Sequence, residues 1–427
     1  MRYEEQEPFV LRLDAYRLYL IMGAAASLFG SMIFTGLTVY YVQTVGMNPL
    51  QLVLVGTVLE ATVLLCEVPT GVLADTYSRR LSVIIGFVLI GICYLIQGSF
   101  PLFSIIILAE IVRGVGETFL SGAESAWIAD EIGEEQVGRA YLRHSQVSRM
   151  GSFVGIGLGT AFAAWHLPLP ILLGGALQIG LSLFLLIAMP ERGFHPAQRP
   201  RGEAPWHSMR TTAQEGLRIV RGRPVVWMLV LVAVVFGAFS EGVDRLREAH
   251  FLITFSFPAW PDLPSVVWIG MINAGGMLIG IGVAELLIRR WQVQDNRRLG
   301  PLLLANSAGL ILAVLVFALA PNFGIALAAA WMAGAFRSIQ YPIANTWLNQ
   351  HLPSHVRATV LSMAGQADAL GQVAGGPVVG LVGLRSLRAA LVFAGLILTP
   401  ALALYSRGLK LEETVATIPP DPEPLDA

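Results

Sequence analysis

The residues of this 427-residue chain most able to do chemistry are ionisable side chains set deep inside apolar stretches. Glu60 lies in one such stretch, and Glu110, Arg113, Glu117 and Glu124 share another. Their offsets of 3, 7 and 14 residues keep those four within one sector of a helix. Arg337, Gln340 and Tyr341 share a further face, and Asn273, Asp368 and Glu241 mark three more stretches, Glu241 toward an outer end. A charge at the centre of a bilayer costs about 2.5 kcal/mol or more, so each of these groups requires a cavity or a partner. The chemistry open to them is binding a charged solute or carrying a proton. Glu60 and Asp368 have no basic residue within helical reach, and a carboxylate enclosed without a cationic partner can take up a proton. A transport role is therefore expected for at least one of Glu60, Glu117 and Asp368. Arg113 and Arg337 can also be read differently, as structural counter-ions of Glu110, Glu117 or Asp368.

Composition dictates the elements that position these groups. The chain is 55% hydrophobic and only 13% charged, with a mean hydropathy of +0.65. Apolar runs fall at 15–41, 50–72, 81–100, 103–128, 145–165, 168–189, 224–243, 264–287, 299–319, 322–346, 357–382 and 386–405. Each approaches or exceeds the roughly 20 residues that span a bilayer as a helix. The expected fold is an all-α membrane protein of twelve transmembrane helices in two pseudo-symmetric six-helix bundles. Residues 1–190 form the first bundle, 191–223 a cytoplasmic linker, 224–406 the second bundle and 407–427 a cytoplasmic tail. Within the linker, Trp206, Met209, Ala213, Leu217 and Val220 recur at helical spacing, with Arg210, Arg218 and Arg221 around them. That pattern fits either an amphipathic helix on the inner membrane face or an irregular connector. The third, sixth, ninth and twelfth runs carry no charge in their cores, so every third helix can face lipid while the others enclose a polar centre.

Several function classes are excluded. The net charge is −1, and no basic patch is interleaved with exposed aromatics, so nucleic acid is not an expected partner. No Gly-Lys-Ser/Thr phosphate loop is present, which argues against ATP as direct energy source, and no nucleophile-plus-base constellation suggests an enzyme. His351 and His355 have metal-ligand spacing, but Pro353 between them favours a plain loop; no metal or cofactor is expected. Cys66 and Cys93 lie within apolar runs and are expected to stay unpaired. The polar, acidic N-terminus lacks a small-residue cleavage site, so the first run should persist as a helix.

Basic residues set the expected orientation. With the N-terminus inside, twenty-two of the twenty-eight Lys and Arg residues fall at cytoplasmic ends, including Arg79, Arg80, Arg139 and Arg143. Arg245, Arg247, Arg385 and Arg388 fall outside, and Arg113 and Arg337 within helices. Both termini are then cytoplasmic. The halves also echo each other. Gln146 and Gln366 each begin Gln-x4-Gly-x3-Gly, GVLADTYSRR from Gly71 is matched by GVAELLIRR from Gly282, and Arg113 corresponds to Arg337. Such repeats characterise transporters that rock one bundle against another.

The segment Gly71-Val-Leu-Ala-Asp75-Thr-Tyr-Ser-Arg79-Arg80 resembles the cytoplasmic signature of the major facilitator superfamily, with Thr76 where a basic residue is usual and Ser78 where a glycine is usual. With twelve runs, a central linker and a degenerate second copy, the resemblance covers nearly the whole chain. It implies a cytoplasmic gate of Glu67, Gly71, Asp75, Arg79, Arg80 and Asp130. Asp75 would face the N-terminus of the eleventh helix near Arg357–Thr359, and Arg79 would pair with Asp75 or Asp130. The expected cavity residues are Glu60, Arg113, Glu117, Asn273, Arg337, Gln340 and Asp368.

Taken together, the sequence reads as a monomeric, proton-coupled secondary transporter of the plasma membrane. The favoured substrates are small amphiphilic or cationic compounds, drawn by surplus carboxylates and expelled from the cell. The Gly-Pro pair usual in the fifth helix of drug antiporters lies here in the eleventh, as Gly376-Pro377, which weakens the case for efflux; nutrient uptake by proton symport is the alternative. A lipid flippase or membrane-embedded enzyme is the reading from another class.

Overall fold

The computed structural model describes residues 14–196, 218, 222, 224–260, 262–290, 299–350, 352 and 354–416. Among these the chain forms fourteen α-helices and one short π-helical segment, with no strand. In the first half they are α1 (Ala15–Tyr40, continued by the π segment Tyr41–Val45), α2 (Pro49–Thr76), α3 (Arg79–Ser99), α4 (Phe103–Leu120), α5 (Ala123–Ile132), α6 (Glu134–Trp165) and α7 (Leu169–Ala188). In the second half they are α8 (Pro224–Thr254), α9 (Ser265–Arg290), α10 (Leu299–Leu319), α11 (Phe323–Gln350), α12 (Ser354–Gly383), α13 (Leu387–Ile397) and α14 (Thr399–Ala416). The fourth and twelfth crossings are each two helices, so twelve crossings result. The proposed linker helix, His351 and the last residues of the tail lie outside the described residues.

Local sequence explains the boundaries. Asn48 and Gln51 form a reciprocal capping box at the start of α2, with Pro49 in its first turn. Ser78 caps α3 by accepting a hydrogen bond from the Leu81 N–H at 2.9 Å, which is what the serine at this signature position does. Gly122, at φ 74°, takes the left-handed conformation that a side chain would resist and breaks the fourth crossing in two.

Packing pairs recur six crossings apart. The most extensive contacts join α1 to α6 in one half and α8 to α12 in the other, and α2 on α4 is repeated by α9 on α11. The halves meet where α2 packs on α12 and α6 on α9. Helices α3, α7, α10, α13 and α14 pack within their own half and turn apolar residues such as Leu183, Ile187, Leu312 and Leu319 outward, as lipid contact requires. Eight of the described helices are long and apolar enough to cross a membrane by length and composition alone. The crossings that fall short are the fourth, fifth, tenth and eleventh, two at equivalent places in each half.

The end of the bundle that carries Arg79, Arg80, Arg139 and Arg143 is termed here the basic end. At the opposite, far end the halves touch. Gln43 Nε2 donates to Ser265 Oγ at 2.9 Å, Gly383 abuts Pro49, and Gly270 abuts Thr160. At the basic end they stand apart: Met150 and Leu142 are exposed, and a Cβ on Gly71, Gly138 or Gly282 would meet nothing within 4 Å. Among the described residues the contacts between the halves thus gather toward the far end.

Close approach of α1 and α6 rests on a glycine stripe. Gly151, Gly155 and Gly159 face the carbonyl oxygens of Ala24, Leu28 and Met32, and a Cβ on any of them would collide. Gly157, on another face, has open space. Gly155→Val should lower the thermal midpoint in detergent, by about 1–3 kcal/mol of overpacking. Gly157→Ala should leave the midpoint equal or higher, because alanine is favoured over glycine inside a helix by about 1 kcal/mol. Equal losses for the two variants would remove the stripe as the reason the helices touch.

Candidate functional site

The run expected at 224–243 is instead the helix Pro224–Thr254, eleven residues longer. Its extension carries Glu241, Asp244, Arg245, Arg247 and Glu248, and Arg245 and Arg247 thus lie within a crossing rather than in an outer loop. The apolar count ends early because this half of α8 is amphipathic: Glu241, Asp244, Arg245 and Glu248 recur at i, i+3, i+4 and i+7 on one face. Asp244, Arg245, Arg247 and Glu248 face a cavity of about 360 Å³ between the halves, bounded on the other side by Phe34, Thr38 and Tyr41 of the first crossing.

The second-half groups are linked in pairs. Arg337 of α11 grips Asp244 with both terminal nitrogens, Nη2 lying 2.8 Å from Oδ2. Arg245 Nε donates to Glu241 Oε1 at 3.1 Å. This pair is wedged against Gly56 of α2, and Glu241 also abuts Gly376 of α12, so no larger residue would fit at either glycine without displacing it. Asn273 of α9 accepts from Arg247 Nη2 at 3.0 Å and donates to Glu248 Oε1 at 2.9 Å. Gln340 turns away from the chamber's centre, accepting from Asn306 and donating to the Tyr405 hydroxyl at 3.0 Å, and so ties α11 to α10 and α14.

In the first half, Arg113 is enclosed. Its Nη1 donates to Glu110 Oε2 at 3.1 Å, Glu117 approaches to 3.5 Å, and the rings of Phe34 and Tyr94 lie 5.2 and 5.7 Å from the guanidinium. Glu110 is fully buried and accepts from Gln97 Nε2 at 2.7 Å, and the Tyr41 hydroxyl donates to Gln97 Oε1 at 2.7 Å. Tyr41 and Phe34 therefore join this knot to the cavity wall. Glu124 does not belong to it: the break at Gly122 turns Glu124 away, and it pairs with His144 at 3.1 Å.

Glu60 and Asp368 differ from the rest. Glu60 is half-buried on α2 and makes no hydrogen bond or ion pair among the described residues. The charges around it are Arg245, Asp368, Arg113 and Glu117, drawn from both halves. Asp368 of α12 accepts from Gln372 Nε2 at 2.9 Å, and its charged neighbours are Arg337 and Asp244, which are already joined to each other.

At the basic end, Arg79 pairs with Asp130 and, at 3.4 Å, with Asp75, and donates to the Ala126 carbonyl at 3.0 Å. Arg80 donates to the Leu186 carbonyl. Glu191, shortly after α7, accepts from Ser78 Oγ at 2.7 Å and from the Arg80 backbone N–H at 3.0 Å, so an anion sits on the positive end of α3. Residues 191–194 are thereby fastened onto α3 and α5 rather than forming free linker, a hold completed by Glu131 accepting from the Gly193 N–H at 2.8 Å. Among the described residues Asp75 has no partner on α12. Its side chain is 57% exposed and its partner is Arg79, because the halves are parted here. Glu67 bridges them one step deeper, accepting from Ser121 Oγ at 3.2 Å and from Gln366 of α12. Gly71 borders the open space. Cys66 and Cys93 are free, and no cluster suited to a metal occurs among the described residues.

Residues 19–308 match the model of the Major Facilitator Superfamily. The chain belongs to this superfamily. An uncharacterized MFS-type transporter of Bacillus subtilis (strain 168), YxaM, is 23% identical over 383 residues, covering 89% of this chain and 93% of that protein. Among solved structures, the nucleoside transporter NupG superposes with a TM-score of 0.72 at 13% identity, covering 93% of this chain and 100% of that one. A bacterial homolog of the human lysosomal transporter Spinster, in an inward-facing and unoccupied conformation, gives 0.66 at 15% identity over 93% and 96% of the two chains. The fold and family make this multi-pass membrane protein a secondary transporter of small molecules and not an enzyme.

Removing one partner of the Arg337–Asp244 pair leaves a charge facing a restricted space, which costs more than removing both. Asp244→Asn should therefore lower the thermal midpoint of the purified protein, and adding Arg337→Gln should recover part of the loss. A double variant less stable than the single one would show that the two groups do not act as a pair.

Proposed function

We propose that this transporter couples the movement of a small amphiphilic or cationic compound out of the cell to a proton moving in, with Glu60 as the principal proton-carrying group and Asp368 as the second. The observation that carries the reading is the isolation of Glu60. It is the carboxylate placed among charges from both halves, yet it has no hydrogen-bonding partner among the described residues. A group so placed feels each change in the separation of the halves, and protonation at that point alters the attraction between them. The substrate class is supported by charge. Glu60, Glu110, Glu117, Glu241, Asp244, Glu248 and Asp368 surround the interior against Arg113, Arg245, Arg247 and Arg337, leaving a surplus of carboxylates that favours cations.

In this reading Arg79 with Asp75 and Asp130, and Glu67 with Gln366, belong to the cytoplasmic gate. The basic end is cytoplasmic, the protein sits in the plasma membrane, and it works as a monomer. Placement of Arg245 and Arg247 inside α8 supports that orientation, since of the expected outer residues only Arg385 and Arg388 remain in the far-end segment. A second reading, symport of a nutrient bearing an anionic group, is favoured by the same two arginines lining the chamber.

Proteoliposomes with an imposed pH gradient test the proposal. Proton-driven transport of a quaternary ammonium compound should fall about tenfold or more in Glu60→Gln and in Asp368→Asn, a loss of at least roughly 1.4 kcal/mol in driving the cycle. Exchange of substrate without a gradient should persist in Glu60→Gln. Full gradient-driven transport by both variants would rule out the assigned proton carriers.

A further inference from the structure

A second cavity, of about 230 Å³, lies wholly within the second half, between α8, α11, α12 and α14. Its walls are apolar over most of their extent, with Leu229 and Phe236 from α8 and Leu361 from α12, and Tyr341 stands exposed at the rim. One ionisable carboxylate enters it, that of Asp368. That carboxylate has one oxygen bonded to Gln372, while the other accepts no hydrogen bond among the described residues. Its nearest cation, Arg337, is held by both oxygens of Asp244. The polar atoms at the back of the cavity are likewise committed, because the Tyr405 hydroxyl and the Gln340 amide bond each other. An apolar hollow with a single unneutralised carboxylate, and with the rings of Phe236 and Tyr341 beside it, is complementary to a cation that carries its own hydrophobic body.

The geometry points to this hollow as the binding site for an aryl- or alkyl-substituted quaternary ammonium ion, its charge beside Asp368 and its apolar group among Leu229, Phe236 and Leu361. The inference rests on the cation-export reading given above and assigns that reading its site. It also separates two tasks. The chamber between the halves, with its paired charges, changes shape as they move, whereas a site lined by one half travels with that half. Arg337 links the two spaces, being bound to Asp244 in the chamber wall and neighbouring Asp368 in the pocket.

Gly365 supplies the test. It lines the pocket, and a Cβ added there meets nothing within 4 Å, so a larger residue fills the hollow without disturbing the helix. Binding of benzyltrimethylammonium to the purified full-length protein is measured by calorimetry, with tetramethylammonium as the charge-only comparison. The wild type should bind the benzyl compound about tenfold more tightly than tetramethylammonium, the benefit of burying one aryl group. Gly365→Leu should weaken the benzyl compound about tenfold or more by occupying its space, and Asp368→Asn should do so by removing its counter-charge. Tyr341→Ala alters an exposed side chain and should cost roughly threefold, which keeps the question open to measurement if Gly365→Leu fails to fold. Binding unchanged in Gly365→Leu, Asp368→Asn and Tyr341→Ala overturns the pocket and leaves cation export standing. No binding by the wild type at millimolar concentration overturns both.

Discussion

Moving a carboxylate or guanidinium from water into hydrocarbon costs several kcal/mol unless a partner or a water-filled space receives it. The consequences of that cost run through every crossing of this protein. Helices without core charge, α3, α7 and α10 among them, can turn their outward faces to lipid. Those that carry charge must turn it inward and accept a less apolar sequence. The fourth, fifth, tenth and eleventh crossings fall below a purely compositional threshold for spanning a membrane, yet they complete the bundle because their neighbours shield them. The same cost decides which side chains pair. Among the described residues most charges in the interior have an opposite within 3.5 Å, and Glu60 and Asp368, which do not, stand where the proposed work is done.

The two halves share their backbone plan but not their electrostatics. Arg113 and its counterpart Arg337 stand at equivalent places, and each is neutralised by carboxylates. Arg113 finds Glu110 and Glu117 one turn away on its own helix and is closed over by Phe34 and Tyr94. Arg337 must reach across to Asp244 on α8, and both members of that pair keep contact with open space. A charge knot within one helix survives any relative motion of helices, whereas a bond between α8 and α11 reports on their separation.

Much of this is legible from residue spacing. Periodicity places Arg113 with Glu110 and Glu117 on one face, and the absence of core charge marks the peripheral helices correctly. Pairing of Arg79 with Asp75 follows from an offset of one turn, and the family resemblance adds Asp130. What spacing obscures has physical causes. Counting apolar residues stops where a helix becomes amphipathic, so the charged end of α8 looks like loop although its Glu-x2-Asp-Arg-x2-Glu pattern is helical. Spacing groups Glu124 with Arg113 because a glycine inside a run does not announce which φ it adopts, and Gly122 takes the left-handed one. Glu191 has the local sequence of a linker's first residue; its anchoring to Ser78 is a contact across 113 residues that no local pattern contains. The partition of the interior into a charged chamber and an apolar hollow likewise depends on which helices stand apart, and sequence periodicity carries no information about that.

The two ends of the bundle are held by different forces, and this difference bears on how a cycle can run. At the far end, closure brings Gly383 to Pro49 and Gly270 to Thr160, and it buries the Glu241–Arg245 pair against Gly56 and Gly376. Small-residue contacts of this kind are gained together and lost together. The buried ion pair offsets part of that gain, since two charges have been taken from water for one bond. Parting the halves there returns Glu241 and Arg245 to water, which lowers the cost of opening. At the basic end, Arg79 is neutralised by Asp75 and Asp130 within its own half, so the parted state leaves no bare charge on that arginine. Under the proposed gate, closing that end would exchange some of Asp75's exposure for contact with α12. Each arrangement therefore carries a compensating term, burial of an ion pair in one and exposure of backbone and side chains in the other. Glu60 lies between the two ends among charges of both halves, and in the proposed cycle it is the group at which a proton would tip the balance.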